Sequence, residues 1–409
     1  MEKEIKIMPL VISPLIYKEG NAVAQVERAL FHNLPEYYEP KILCSSFKDK
    51  SLVKENIDVV AVHEINWINE AFKFVRHSPF REFAYNPDIF KYSWLNKAEK
   101  AIKQIMAGNH ISYVHSTSMP YSSHLLASKV KKKYGIPWVA SFYEPWVDNS
   151  YIPFKHHYFI NKCKEYECLV ATNADIILFN SEMAIEVWKE RYGALVKGKI
   201  HYLPMAMDAS KLFVNSRRTN KNVKINIYHI GSFYHKRNSV NFVKALKILL
   251  SRYPDFVNKI TVNFVGNVTT EDKAIIADTK LEQIINIVGC VSEKDCVKYY
   301  NNSDIFLVVD GSNNDRLFYP SKLLKYFYYQ KPILGLVNKG SLLESELIKA
   351  KQIAIERDCL EDIVNYLYNA VTSYSSFLTF DKMYYQQFLS CNVAKQYFNL
   401  INSTLLINN

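Results

Sequence analysis

Short apolar runs alternate with helix-spaced segments along the whole chain, and this alternation restricts the fold more than any other feature. IKIMPLVIS, KILCSS, IDVVAVHE, ISYVHSTS, PWVASF, ADIILF and KIHYLP read as strands in the first half. AVAQVERALFHNL, LNKAEKAIKQIMAG and SSHLLASKVKKKYG carry helical spacing between them. A polar and aromatic stretch from Trp67 to Ser93 receives no assignment. After the polar, basic segment SKLFVNSRRTNKNVK the pattern begins again, with INIYHI, ITVNFVGN, QIINIVGCV, DIFLVVDG and KPILGLVN as strands. Strands separated by helices of this length build parallel sheets covered on both faces. We therefore expect an α/β chain of two doubly wound, Rossmann-like parallel-sheet domains facing a cleft. The N-terminal domain covers residues 1–206 and takes back a C-terminal helix, 385–409, and the second domain covers 207–384, with the join near 205–222. Ligands in such sheets bind beyond the carboxyl ends of strands, where connections reverse.

The length supports two domains, since 409 residues exceed what one core usually holds. Lys and Arg outnumber Asp and Glu 51 to 40, for a net charge of +11. A chain this basic seeks phosphates: nucleic acid, sugar nucleotides or an anionic membrane face. Nucleic-acid binding would need basic residues interleaved with exposed aromatics in one module, and no such motif occurs. Seven scattered cysteines without a CxxC pair argue against a disulfide framework or a zinc site and fit a reducing cytosol. The opening MEKEIKIMPLVISPLIY is broken by Lys6, Pro9 and Pro14, so it reads neither as a signal peptide nor as a span. No later run reaches the roughly 18 apolar residues a spanning helix needs.

Neither GxGxxG nor GxxxxGK[ST] occurs, which removes the usual dinucleotide and P-loop readings. Gly20 precedes a helix and could let backbone approach an anion or a sugar, though a plain turn explains it as well. The second half is more specific. GSFYHKRNSVNF places Gly231, Ser232, Lys236 and Arg237 between a strand and a helix, a setting that suits a pyrophosphate. FYPSKLLKYFYYQKPILGL puts Pro320 and Ser321 at a helix start and Lys322 in its first turn. Either segment alone reads as a capped helix with solvated lysines. Together in one domain, each after a strand, they point to a phosphate site. Elsewhere the bland readings prevail: capping and packing for His115 and His124, a solvated loop for His156 and His157. The run Lys129, Lys131, Lys132, Lys133 reads as a solvated face, with anionic headgroups as the other option at about 1 kcal/mol per cation.

HIGSFYHKRNSVNFVKAL, VGCVSEKDCVKYYNNSDIFLVV and FYPSKLLKYFYYQKPILGL resemble the donor-binding half of GT-B glycosyltransferases of the family-4 type. WVASFYEPWVDNSY, ECLVATNADIILFNSE and LPMAMDASKLF resemble that family's acceptor domain and interdomain segment, in the right order. The resemblance implies that Arg237 and Lys322 clamp a nucleotide diphosphate without metal, two cations neutralising the leaving group. It implies donor contacts at Gly231, Ser232, Lys236, Gly289 and Ser321, with backbone around Gly289 to Val291 reading the base. Acceptor contacts fall to Gly20 and Tyr143, and Glu144 orients an acceptor hydroxyl or caps the next turn.

Three departures stand out. Lys325 replaces the family's ribose-binding glutamate, and Leu317 replaces the partner carboxylate eight positions earlier. A lysine cannot accept hydrogen bonds, so Lys325 would meet the phosphate or an acidic sugar, or turn to solvent. Tyr143 replaces a His or Arg. The implied activity is a retaining transfer from a nucleotide-diphosphate sugar, UDP-sugar first, to a glycan or lipid-linked oligosaccharide in bacterial surface polysaccharide synthesis. The implied place is the cytoplasm, with peripheral contact on the inner face of the membrane, and no metal or nucleic acid. A catalytically weakened homologue acting as a binding or partner subunit is the alternative that the three departures motivate.

Overall fold

Among the described residues every pairing between the strands of the two sheets is parallel, as the alternation requires. The structure, a computed structural model, describes residues 6–75, 78, 81–147, 149, 154–210, 212–214, 224–234, 236–311 and 316–406. It divides into two compact units, Met1–Asp208 with Gln387–Asn409, and Ala209–Gln386. Half of the expected join, residues 211 and 215–222, lies outside the described residues, as do 312–315 of the DGSNND loop.

The first unit holds β1 (Pro9–Ile12), β2 (Lys41–Ser45), β3 (Asp58–Val62), β4 (Tyr113–Ser118), β5 (Trp138–Phe142), β6 (Ile176–Phe179) and β7 (Ile200–Tyr202), in the order β3-β2-β1-β4-β5-β6-β7. The second holds β8 (Ile225–Ile230), β9 (Ile260–Val265), β10 (Ile285–Gly289), β11 (Ile305–Val309), β12 (Ile333–Val337) and β13 (Ile353–Glu356), in the order β10-β9-β8-β11-β12-β13. The strand order therefore reverses between β1 and β4 in one sheet and between β8 and β11 in the other. Central strands such as β1, β11 and β12 are buried along their whole length, because helices cover both faces. Each fully buried Ile or Leu there stabilises the fold by roughly 1.5–3 kcal/mol.

The last helix, Ser390–Ile401, belongs to the first unit. It buries Val393, Ala394, Tyr397 and Ile401, and the Tyr397 hydroxyl meets the Tyr113 hydroxyl at 3.0 Å and His115 Nδ1 at 2.9 Å. The expected helix was longer: Tyr384–Phe388 form a 3-10 turn before it. Several elements were not expected, among them the short helices Arg81–Ala84 and Phe90–Ser93 and the helices Leu342–Lys349 and Leu360–Thr372. β13 is a four-residue edge strand with exposed ends, too short and too polar at its flanks to show a strand pattern. A helix spans Asn66–Val75 inside the unassigned aromatic stretch, with exposed Trp67 and Phe74 obscuring its face. His115 and His124 pack rather than cap, both fully buried, with His124 Nδ1 at 2.8 Å from the Ser116 hydroxyl. In the lysine run, Lys131 pairs with Asp175 and Lys129 with Glu99. Among the described residues no helix is long and apolar enough to cross a membrane.

Candidate functional site

Three strands end side by side on glycines next to the reversal point of the second sheet. Gly231 follows β8 with φ +123°, Gly266 follows β9 with φ +130°, and Gly289 closes β10 with φ +81°. Only glycine adopts such backbone without strain. The ends are stitched together: the Gly266 N–H donates to the Gly289 carbonyl at 2.8 Å, and the Asn267 N–H donates to the Ser232 hydroxyl at 3.1 Å. Ser232 thus ties β8's turn to β9's. Contact is tightest at Gly266, where a Cβ would stand 2.6 Å from the Gly231 carbonyl carbon.

The helix Lys322–Tyr328 is fixed to this turn by Tyr326, whose hydroxyl accepts from the Ile230 N–H at 2.9 Å. Lys322 lies one turn earlier on the same face, which places its amine against Gly231. A Cβ built on Gly231 would come within 2.9 Å of Nζ. The amine donates to His229 Nε2 at 2.8 Å. His229 Nδ1 lies 3.0 Å from the Leu307 carbonyl, the Gly231 backbone also bonds the ring, and the tautomer that donates from Nδ1 to Leu307 leaves Nε2 as the acceptor. The ring stacks on Phe233 with centroids 3.9 Å apart. Loss of water around the amine, then the charge of Arg237, holds Lys322 well below the usual lysine range. Burial, then the Lys322 charge, likewise keeps His229 well below the usual histidine value.

Arg237 is buried, 4 % exposed, with its guanidinium 5.1 Å from the Tyr234 ring centroid and Nη1 donating to the Tyr234 hydroxyl. Arg357, just past β13, donates to the carbonyls of Asp310 and Gly311 and, at 3.3 Å, of Lys236. Lys236 itself is exposed. Asp310 ends β11 buried, accepting from the Asn338 N–H at 2.9 Å and the Ser341 hydroxyl at 2.6 Å. Burial raises its carboxyl above the ordinary range, and Ser341, Asn338, Arg237 and Arg357 oppose the rise. Ser321 stands before the Lys322 helix without a capping hydrogen bond. Lys325 pairs with Glu293 at 3.0 Å, where solvent, phosphate or an acidic sugar had been expected. Glu293 opens the helix Glu293–Asn302 after Ser292 caps it, four residues past Gly289.

In the first unit the predicted residues are less closely gathered. Gly20 has φ +67° and open space around its missing Cβ, so the turn itself, not a close approach, needs glycine. Tyr143 follows β5; burial, then Glu27 and Tyr397, raise its phenol well above the ordinary value. Glu144 is half-buried next to it, and its charge reaches Tyr121, which stacks on Trp146 at 4.4 Å. Glu27, which the sequence did not single out, is fully buried and accepts from the Ser13 hydroxyl at 2.5 Å. Burial pushes its carboxyl up to about 7 against the pull of Ser13, Thr117 and Arg28. Other residues missed are His229, Asp310, Arg357 and Glu293. Two left a signal: a histidine interrupts the apolar run INIYHI, and an aspartate ends DIFLVVD.

Two doubly wound sheets, the second with Arg237 and the Lys322 amine beside its reversal point, define a chain of the GT-B fold. Solved structures agree along nearly the full length. Sucrose-phosphate synthase from Thermosynechococcus elongatus is 12 % identical, with 97 % of this chain and 98 % of that one covered and a TM-score of 0.67. HepE of Anabaena in complex with UDP and glucose is 11 % identical, at 97 % and 100 % coverage and a TM-score of 0.68. A putative UDP-N-acetylglucosamine 2-epimerase from Listeria monocytogenes is 13 % identical, at 97 % and 96 % coverage and a TM-score of 0.57. No family model and no curated protein matches the sequence.

Proposed function

We propose that the protein is a retaining glycosyltransferase that moves a hexosyl or N-acetylhexosaminyl group from a nucleoside-diphosphate sugar, UDP-linked first, to a glycan or lipid-linked acceptor in bacterial surface polysaccharide synthesis. The observation that carries this reading is the Lys322 amine against Gly231 with Arg237 acting on it. Two cations beside a glycine turn stabilise a departing diphosphate, which bears the charge that develops in the transition state. The fold shared with HepE, whose structure holds UDP and glucose, supports the choice of carrier. Gly231, Ser232, Gly289 and Ser321 shape the donor loop, Lys236 flanks it, and Glu144, Tyr143 and Gly20 belong to the acceptor half. The chemistry asks no metal of the protein, and the work takes place at the cytoplasmic face of the membrane.

A second reading, a weakened homologue serving as a partner subunit, is favoured by one observation: Lys325 is engaged with Glu293 instead of offering a carboxylate. Incubation with a panel of sugar nucleotides, with and without lipid-linked acceptor and EDTA, tests both. Transfer that survives EDTA supports the transferase. Binding without transfer or donor hydrolysis supports the partner subunit. Epimerisation of UDP-N-acetylglucosamine alone would overturn both.

A further inference from the structure

Lys322 and His229 form an unusual pair for a site that receives an anion. The amine donates to His229 Nε2, and the ring's other nitrogen is committed to the Leu307 carbonyl at 3.0 Å. The ring cannot turn to offer a different nitrogen without breaking that bond or its stack on Phe233. Charged and titratable groups face the pair from several elements. Arg237 acts on both Lys322 and His229 from the β8 turn. Tyr326 lies on the lysine's own helix with its hydroxyl on Ile230. Asp310, at the end of β11, feels Arg237 and Arg357 and is bound by Asn338 and Ser341. Lys325, one turn on, is matched by Glu293 of the neighbouring helix. Among the described residues no carboxylate bonds the Lys322 amine. Its hydrogen-bond partner is a neutral ring, and the charge that acts on it is that of Arg237.

A lysine in that setting gains by shedding its proton, because burial and a like charge both penalise the ammonium form. An incoming dianion reverses both penalties at once. We propose that the Lys322–His229 pair takes up one proton when a nucleoside diphosphate occupies the space beside Gly231, so that donor binding is coupled to proton uptake. The inference rests on the donor-site reading above. In the empty protein the pair carries the single proton on His229 Nδ1 and a neutral amine. In the loaded protein the amine gains a proton from solvent and faces the diphosphate as an ammonium, still donating to Nε2. The site thereby keeps its cation count low when empty and raises it only when the charge is answered.

The test is calorimetric titration of the full chain with UDP, and with GDP and ADP, at pH 8 in buffers of different ionisation enthalpy. A terminal phosphate with its second pKa near 6 is already ionised at that pH, so uptake by the nucleotide does not contribute. The expected slope of observed enthalpy against buffer enthalpy corresponds to roughly 0.5–1 proton gained per nucleotide, with affinity falling up to about tenfold per pH unit above pH 8. Lys322→Arg supplies a guanidinium that stays charged, and it should bind with a slope near zero. A zero slope for the natural protein, or an unchanged slope in Lys322→Arg, would overturn the proton coupling while leaving the donor site standing. Absence of binding to all three nucleotides would overturn the donor-site reading and the coupling with it.

Discussion

Gly231→Ala tests the relation between the glycine turn and the Lys322 amine most directly. A methyl group there would meet Nζ at 2.9 Å and Cε at 3.0 Å, and the backbone sits at φ +123°. The dihedral strain costs about 1–3 kcal/mol. The contact is relieved by swinging the end of a flexible side chain, which gives up the bond to His229, worth about 1 kcal/mol. The melting temperature of the second unit should fall by roughly 4–16 °C, at 2–4 °C per kcal/mol for a unit of this size. Displacing the amine should also weaken UDP binding by about 10- to 30-fold, or about 1.4–2 kcal/mol. Gly266→Ala is the contrast. Its methyl group would overlap three backbone atoms of Gly231 and Ser232 at 2.6–2.8 Å, so nothing flexible can yield and the second unit should fail to fold. All five tryptophans, Trp67, Trp94, Trp138, Trp146 and Trp188, lie in the first unit. Their fluorescence does not see this loss, and scanning calorimetry or tyrosine near-UV dichroism must be used. Wild-type UDP affinity and an unchanged melting point in Gly231→Ala would refute the placement of Lys322.

Lys325→Glu would set two carboxylates where a 3.0 Å ion pair now stands, so UDP affinity and stability should fall, the latter by about 0.5–1 kcal/mol. The double exchange with Glu293→Lys should recover the stability, and additive losses would show the pair to be uncoupled. Glu27 holds its proton up to about pH 7 when folded against 4.5 as its ordinary value. Its contribution is therefore complete below the unfolded value and is lost as pH rises through 7, at about 3 kcal/mol by pH 8. Urea unfolding followed by tryptophan fluorescence should find Glu27→Gln more stable than the natural protein at pH 8 but not at pH 5, and parallel pH profiles would remove the carboxyl from this role. With Lys131 paired to Asp175, neutralising Lys132 and Lys133 together should reduce salt-sensitive binding to anionic vesicles, and equal recovery on neutral vesicles would leave the run a solvated face.

Twelve of the thirteen strands, their parallel sense and the cation loops were legible because they are written locally: apolar runs of strand length, and a glycine or a serine between strand and helix. β13 was not, since an edge strand buries too little to need an apolar signature. Lys322 and Arg237 could be named from their loops, yet the group that receives the lysine's hydrogen bond lies 93 residues earlier on β8. Pairings of that kind depend on sheet order, which no local pattern encodes. The same holds for Lys325 with Glu293, and for Glu27 with Ser13, where a glutamate inside a helix reads as solvated until the fold closes over it.

Lys322 and Lys325 lie on one face of a seven-residue helix, and like charges one turn apart are destabilising. Their surroundings separate them. Lys325 is met by a carboxylate on the neighbouring helix, so its charge is balanced in place. Lys322 has a neutral ring as its acceptor and Arg237's charge acting on it, an arrangement the fold alone does not require. A methionine of similar length would fill the same volume without the desolvation that burying an amine incurs. The cost of the Lys322 amine beside a glycine turn is one that an anion bound there would offset, whereas the Lys325–Glu293 pair is balanced without one.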